Sequence, residues 1–146
     1  MTDKTLNMIQ WVLVAMVAFI FLQSLPFKFS GHEQTQLIFS TIGNWLSSIG
    51  LSESLAQGFT HYGGFIIGSL ELIATILLVI PKSRMWGALL GLGLMTGAIF
   101  FHLFTPLGVA RVIDDAGNTD NGVLFIMACI AFLSNALLIY LNRSKP

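Results

Sequence analysis

The sequence predicts an all-α membrane protein: four transmembrane helices in a bundle, with an amphipathic helix in the first outer loop. Three observations lead there. Of the 146 residues, 55% are hydrophobic and 10% charged, whereas about a quarter of the residues in a soluble domain are charged. The mean hydropathy is +0.80. Four apolar runs approach or reach the roughly 20 residues needed to cross a hydrocarbon core. The lipid bilayer is therefore the expected partner, and a formal net charge of +0 gives no electrostatic ground for nucleic acid. The length suits one domain over residues 1–146, without a separate soluble module.

The first span is predicted at about residues 8–25. Only Lys4 flanks it, and no small-x-small cleavage site follows, so a retained anchor is expected rather than a signal peptide. Pro26 is expected to end it, because proline cannot continue the hydrogen-bond ladder. Lys28 then stands between Phe27 and Phe29 at the membrane edge, where its simplest role is a snorkelling interfacial lysine.

Residues 34–49 carry amphipathic periodicity. Ile38, Ile42, Trp45 and Ile49 form an apolar stripe opposite Gln36, Ser40, Asn44 and Ser47. The segment is too short to span, so it is expected to lie in the interface or to cap the bundle. It has no Lys or Arg, which argues against an anionic-lipid anchor.

The second span, about 59–80, ends at Pro81 and carries Glu71. A carboxylate at the bilayer centre costs about 2.5–3.5 kcal/mol on insertion scales, so it must face protein or water, be partnered, or be protonated. Gly64, Gly68, Glu71 and Thr75 share one helix face. Small residues there admit a neighbouring helix, and Glu71 is expected to point into the bundle. The third span, about 85–105, has the small-xxx-small pairs Gly87/Gly91 and Gly93/Gly97, all read as packing glycines. Gly87, Gly91, Met95, Ala98 and His102 fall on one face. The fourth span, about 122–141, presents Ala128, Ala131 and Asn135 together, and Asn135 is expected to hydrogen-bond across helices.

Between the last two spans, Asp114, Asp115, Asn118 and Asp120 lack the D-x-[DN]-x-[DN]-G spacing of a calcium loop and read as an exposed turn. There is no HExxH, and the scattered histidines and carboxylates are a weak metal signal, so no metal is assigned. His32 and His61 are expected to face water. The single cysteine, Cys129, reads as inert packing. Of the seven basic residues, Lys4, Lys82, Arg84, Arg143 and Lys145 flank one side. The positive-inside rule then places both termini in the cytoplasm.

Side chains lean toward a helix N-terminus, which brings Glu71 and His102 toward one another. A direct or water-bridged contact between them is expected, with Lys28 and Gln23 approaching from the first span and Thr75 and Met95 completing the pocket. Neutral Glu71 can donate a hydrogen bond, and charged Glu71 can pair with Lys28 or protonated His102. Such a pocket could orient a quinone carbonyl, exchange a proton, or only lock the helices together. No catalytic residue is assigned.

The chain resembles the DoxX and DoxX-like family of small four-helix membrane proteins. The resemblance rests on Phe27-Lys28-Phe29, on Gly68-Ser69-Leu70-Glu71-Leu72, on Arg84 in the turn, and on Gly97-Ala98-Ile99-Phe100-Phe101-His102. It implies an inner-membrane protein associated with redox chemistry, an accessory or quinone-contacting subunit whose partner is a membrane or soluble oxidoreductase. Quinone is the one cofactor it suggests. Catalysis by the isolated chain is not expected, since no cysteine pair, flavin, haem or metal motif is present. A non-enzymatic structural or assembly role is the alternative, and a small proton-coupled carrier a weaker one. A homo-oligomer is compatible with each.

Overall fold

The computed structural model describes residues 3–114 and 116–143. Five helices make up the fold: α1 (Asp3–Phe29), α2 (Glu33–Ser48), α3 (Glu53–Val79), α4 (Arg84–Phe104) and α5 (Val123–Arg143). Among the described residues no strand forms, and one isolated bridge joins Val112 to Thr119 in the α4–α5 loop. The helices α1, α3, α4 and α5 are each long and apolar enough to cross a membrane. The chain is thus a multi-pass membrane protein.

Each spanning helix packs on two neighbours: α1 on α3 and α5, and α4 on the same two. Alternating directions put the start of α1, the α3–α4 turn and the end of α5 at one end, here called the turn end. The core is small and aliphatic, with Val14, Val17 and Phe21 meeting Ala74, Leu78, Ala88, Ala131 and Leu138. Large apolar side chains such as Phe19, Ile73 and Leu133 point outward, as a hydrocarbon surround requires.

Two helix ends depart from the sequence expectation. α1 runs through Pro26 to Phe29. The Leu22 carbonyl loses its ladder partner there, but the chain beyond is held by new bonds. The Ser30 amide donates to the Pro26 carbonyl at 3.0 Å, and the His32 amide and Thr35 hydroxyl both donate to the Phe27 carbonyl at 3.1 Å. Extending the helix by one turn is what carries Lys28 into the bundle. α3 begins at Glu53, six residues before the expected 59, because α2 lies antiparallel along its first half and buries it.

α2 caps the bundle at the end opposite the turn. Its buried face is Thr35, Phe39, Ile42 and Gly43; of the expected stripe Ile42 is buried and Ile38 and Trp45 are half-buried, while Ile49 lies past the helix and is exposed. The glycines set this face. Gly43 lies against Thr60 and the Ala56 carbonyl, and Gly63 against the Phe39 ring. His32, exposed, caps the helix by accepting the Gln34 amide at 3.3 Å.

At the turn end, Arg84 is more than a flanking charge. It is 2% exposed and stacks over Trp11 at 4.4 Å. Its Nε donates to the Leu78 carbonyl at 3.0 Å, and its Nη1 to Gln10 Oε1 at 3.4 Å. Arg84 thereby ties the α3–α4 turn to α1.

The glycines of α4 divide into two classes. Gly87 faces the α3 backbone and Gly91 faces Asn135, as packing positions should. Gly93 and Gly97, expected to pack, have nothing within 4 Å of an added Cβ, since they stand on the wall of an open cavity between the helices. Gly93→Ala and Gly97→Ala are therefore expected to raise stability by about 0.5–1 kcal/mol each, through lower unfolded-state entropy and better helix propensity. Chemical unfolding in bicelles measures it; a loss above 1 kcal/mol at either site would mean a neighbour is present.

Asn135 is another correction. It is fully buried, but its Nδ2 donates to the Ala131 carbonyl of its own helix at 2.8 Å. It joins α5 to α4 by contact with Gly91 rather than by an interhelical hydrogen bond. The adjacent buried Ser134 also bonds within its own helix, donating to the Ile130 carbonyl at 2.8 Å, and in addition its hydroxyl lies 3.6 Å from Met16 Sδ of α1.

Candidate functional site

The helices separate toward the α2 end and enclose a cavity of about 690 Å³. All four spanning helices, α2 and the α4–α5 loop contribute to its wall. Most of the lining is apolar, with Phe21, Ile38, Phe39, Leu94, Phe101 and Met127 prominent. The polar groups on it are few: Lys28, Glu71, Gln23, Ser24, Gln34, Thr35, His102 and Arg111.

Glu71 is 4% exposed and points inward, as its glycine-bearing face requires. Gly68 lets the Phe29 ring and Lys28 Cβ come to 3.2 and 3.4 Å of where its own Cβ would be. Gly64 does the same for Thr35 and the Lys28 carbonyl. These close approaches set Lys28 Nζ 2.5 Å from Glu71 Oε2. Ser24, one turn below Lys28, completes the cluster: its Oγ accepts from Lys28 Nζ at 2.9 Å and lies 3.0 Å from Glu71 Oε2. The hydroxyl's single proton is shared between that carboxylate and the Phe21 carbonyl at 2.8 Å. Lys28 is thus not a snorkelling residue but the counter-ion of the buried acid.

His102 does not meet Glu71. Its Nδ1 lies 2.6 Å from the Gly108 carbonyl, and its ring sits edge-on to Phe125. The reason is register. Phe101 packs on Phe59, about 18 Å of helix axis from Glu71 at 1.5 Å per residue, which is more than side-chain lean can close. Both residues nevertheless line the same cavity. Met95 lines it as well, and so does Gln23, whose Nε2 donates to Met127 Sδ at 3.3 Å. Thr75, expected in the pocket, is not part of the wall. It is buried behind Glu71, and its hydroxyl donates to the Glu71 carbonyl at 2.8 Å, the usual bond of a threonine inside a helix.

The α4–α5 loop contributes a residue that the sequence did not flag. Arg111 is 6% exposed, on the cavity wall, with Nε 3.3 Å from Asp120 Oδ2. Asp120 Oδ1 also accepts the backbone amides of Arg111 and Gly122, so the carboxylate is pinned where the guanidinium needs it. Arg111 Nη2 donates to Gln34 Oε1 of α2 at 3.3 Å. Burial presses the Arg111 guanidinium below its ordinary value, and Asp120 pulls it back up. Further out, the Asn118 side chain and then its amide hold the Asp114 carboxyl below the usual carboxylate range, which makes a closed turn of that tip. Asp115 and Lys145 lie outside the described residues. The one signal for Arg111 was a lone cation in an otherwise acidic loop.

Fold and site together define a class: a multi-pass helical membrane protein whose bundle holds a largely apolar cavity with paired charges on its wall. Comparison with protein-family models, with curated proteins and with solved structures finds no match for this chain.

Proposed function

We propose that the chain is a DoxX-like protein of the bacterial inner membrane that binds a quinone in this cavity, as an accessory subunit of a membrane redox assembly. The observation that carries the reading is the cavity itself. Its volume lies within the roughly 300–1,000 Å³ of small-molecule sites, and its composition, apolar with a few convergent polar groups, is theirs too. The lining suits a quinone: apolar side chains for the ring and tail, and Lys28 Nζ, which has three donor hydrogens, to donate to a carbonyl oxygen. Lys4, Lys82, Arg84 and Arg143 near the turn end support a cytoplasmic location for that end, which sets the cavity in the outer half of the membrane.

Trp45 offers the readout, because its ring packs 6.3 Å from Phe101 on the cavity wall. In a Trp11→Phe/Trp86→Phe background Trp45 is the one remaining tryptophan of three. A decyl-tailed benzoquinone in nanodiscs is expected to quench it saturably. Glu71→Gln, which frees Lys28 from its carboxylate and reorders the donors, is expected to change the midpoint at least tenfold. Quenching no greater than in empty-lipid controls, or an unchanged midpoint in Glu71→Gln, would sink the reading.

One observation favours a second reading. The Lys28–Glu71–Ser24 cluster joins α1 to α3, so a purely structural or assembly role also accounts for it. In that case Glu71→Gln lowers thermal stability while quenching by quinone is absent from the wild type.

A further inference from the structure

The charges on the cavity wall balance one to one. Three residues with formal charge line it: Lys28, Glu71 and Arg111. Lys28 is paired with Glu71, and Arg111 with Asp120, which stands behind it in the loop. Each cation in this low-dielectric space already has its counter-ion. An anionic ligand would enter as an uncompensated buried charge, at a heavy desolvation penalty. An uncharged ligand carries no such penalty.

The donors do not balance. The Arg111 side chain is 7% exposed, and its fork has more donors than the loop and α2 can occupy. Nε faces Asp120 and Nη2 faces Gln34, while Nη1 is buried with no hydrogen-bond partner among the described residues. A buried N–H group without an acceptor is rare and calls for an explanation, and on a cavity wall a bound acceptor supplies one. The location fits a ligand head. Gln34 and Thr35 are adjacent, and Thr35 donates to the Phe27 carbonyl, so Arg111 reaches the wall beside the α1–α2 junction that also presents Lys28.

We propose that Arg111 Nη1 is a head-group donor of this cavity, and that the ligand it holds is an uncharged amphiphile whose polar end carries a hydrogen-bond acceptor, a carbonyl oxygen. A fatty-acid anion or a net anionic phospholipid is disfavoured by the same charge balance. The inference rests on the cavity being a ligand site and deepens the quinone reading by naming a second contact and the charge of the head.

The test uses Trp45 quenching by the decyl-tailed benzoquinone in nanodiscs, with methyl dodecanoate and dodecanoate as competitors. Arg111→Lys keeps a cation beside Asp120 and loses the fork. It is expected to weaken quinone binding about tenfold or more with little change in melting temperature, and Arg111→Gln is expected to weaken it at least as much. The methyl ester should displace the quinone from the wild type, and dodecanoate should fail at the same concentration. Stronger displacement by dodecanoate than by its ester overturns the uncharged-ligand assignment. Wild-type affinity in Arg111→Lys, alongside loss in Lys28→Met, overturns the role of Arg111 and leaves the quinone reading standing. No quenching in the wild type overturns both. The competition arm runs in the Trp11→Phe/Trp86→Phe background with Arg111 intact, so it decides the charge of the ligand even if substitutions at Arg111 fail to fold.

Discussion

Lys28→Met is expected to destabilise the bundle by about 3–5 kcal/mol, the range for removing one partner of a buried ion pair. The side chains are 17% and 5% exposed, so solvent screens the pair little. Methionine fills most of the lysine's length and leaves α1 packed, so the loss isolates the electrostatic part. Without Nζ, Glu71 Oε2 keeps only the shared proton of Ser24. The carboxylate is then left in the interior without its counter-ion, and that uncompensated burial is what destabilises the variant. The double variant Lys28→Met/Glu71→Leu is expected to recover most of the loss, since an apolar pair of similar volume is often no less stable than a buried ion pair. Unfolding of the two single variants and the double variant in bicelles closes the cycle. Additive losses, with no recovery, would show that the two residues do not act on each other.

Gly87→Ala is expected to have the next largest effect, a loss of about 1–3 kcal/mol or more. A Cβ at residue 87 would stand 2.6 Å from the Leu78 amide nitrogen and 2.9 Å from the Ala74 carbonyl oxygen. Both are backbone atoms of α3, so relief requires the two helices to part rather than one side chain to turn. Gly91→Ala meets the Asn135 side chain at 2.8 Å, which can rotate, so its loss should be smaller. Equal losses at 87 and 91 would contradict the contact geometry.

That ordering also shows where one-dimensional reasoning stops. Gly87, Gly91, Gly93 and Gly97 carry the same small-xxx-small signature in the chain, but only the first two meet a neighbour. Periodicity tells which residues share a face; it does not tell which faces are covered. The same limit rotated the face of α2 toward Phe39 and hid Arg111, because a loop residue has no period from which to infer its surroundings. Register along the helices was beyond reach for the same reason. His102 was expected beside Glu71, but the stacking of Phe101 on Phe59 sets the two at different depths.

Composition and local pattern by themselves determined a good deal. They specified an all-helical membrane bundle, its four spans, the extra helix before the second span, and the inward aim of Glu71, because burial of apolar length and avoidance of charge in lipid are properties each segment carries alone. Only the tertiary structure decided what Glu71 meets, where α1 ends and that a cavity opens between the helices. Pro26 should have stopped α1, and locally it does remove a bond. The bonds made across helices by the turn beyond it, Lys28 with Glu71 and Thr35 with the Phe27 carbonyl, outweigh that local loss. Interactions between residues far apart in the chain arise only once the helices are in contact, and here they chose the counter-ion and shaped the site.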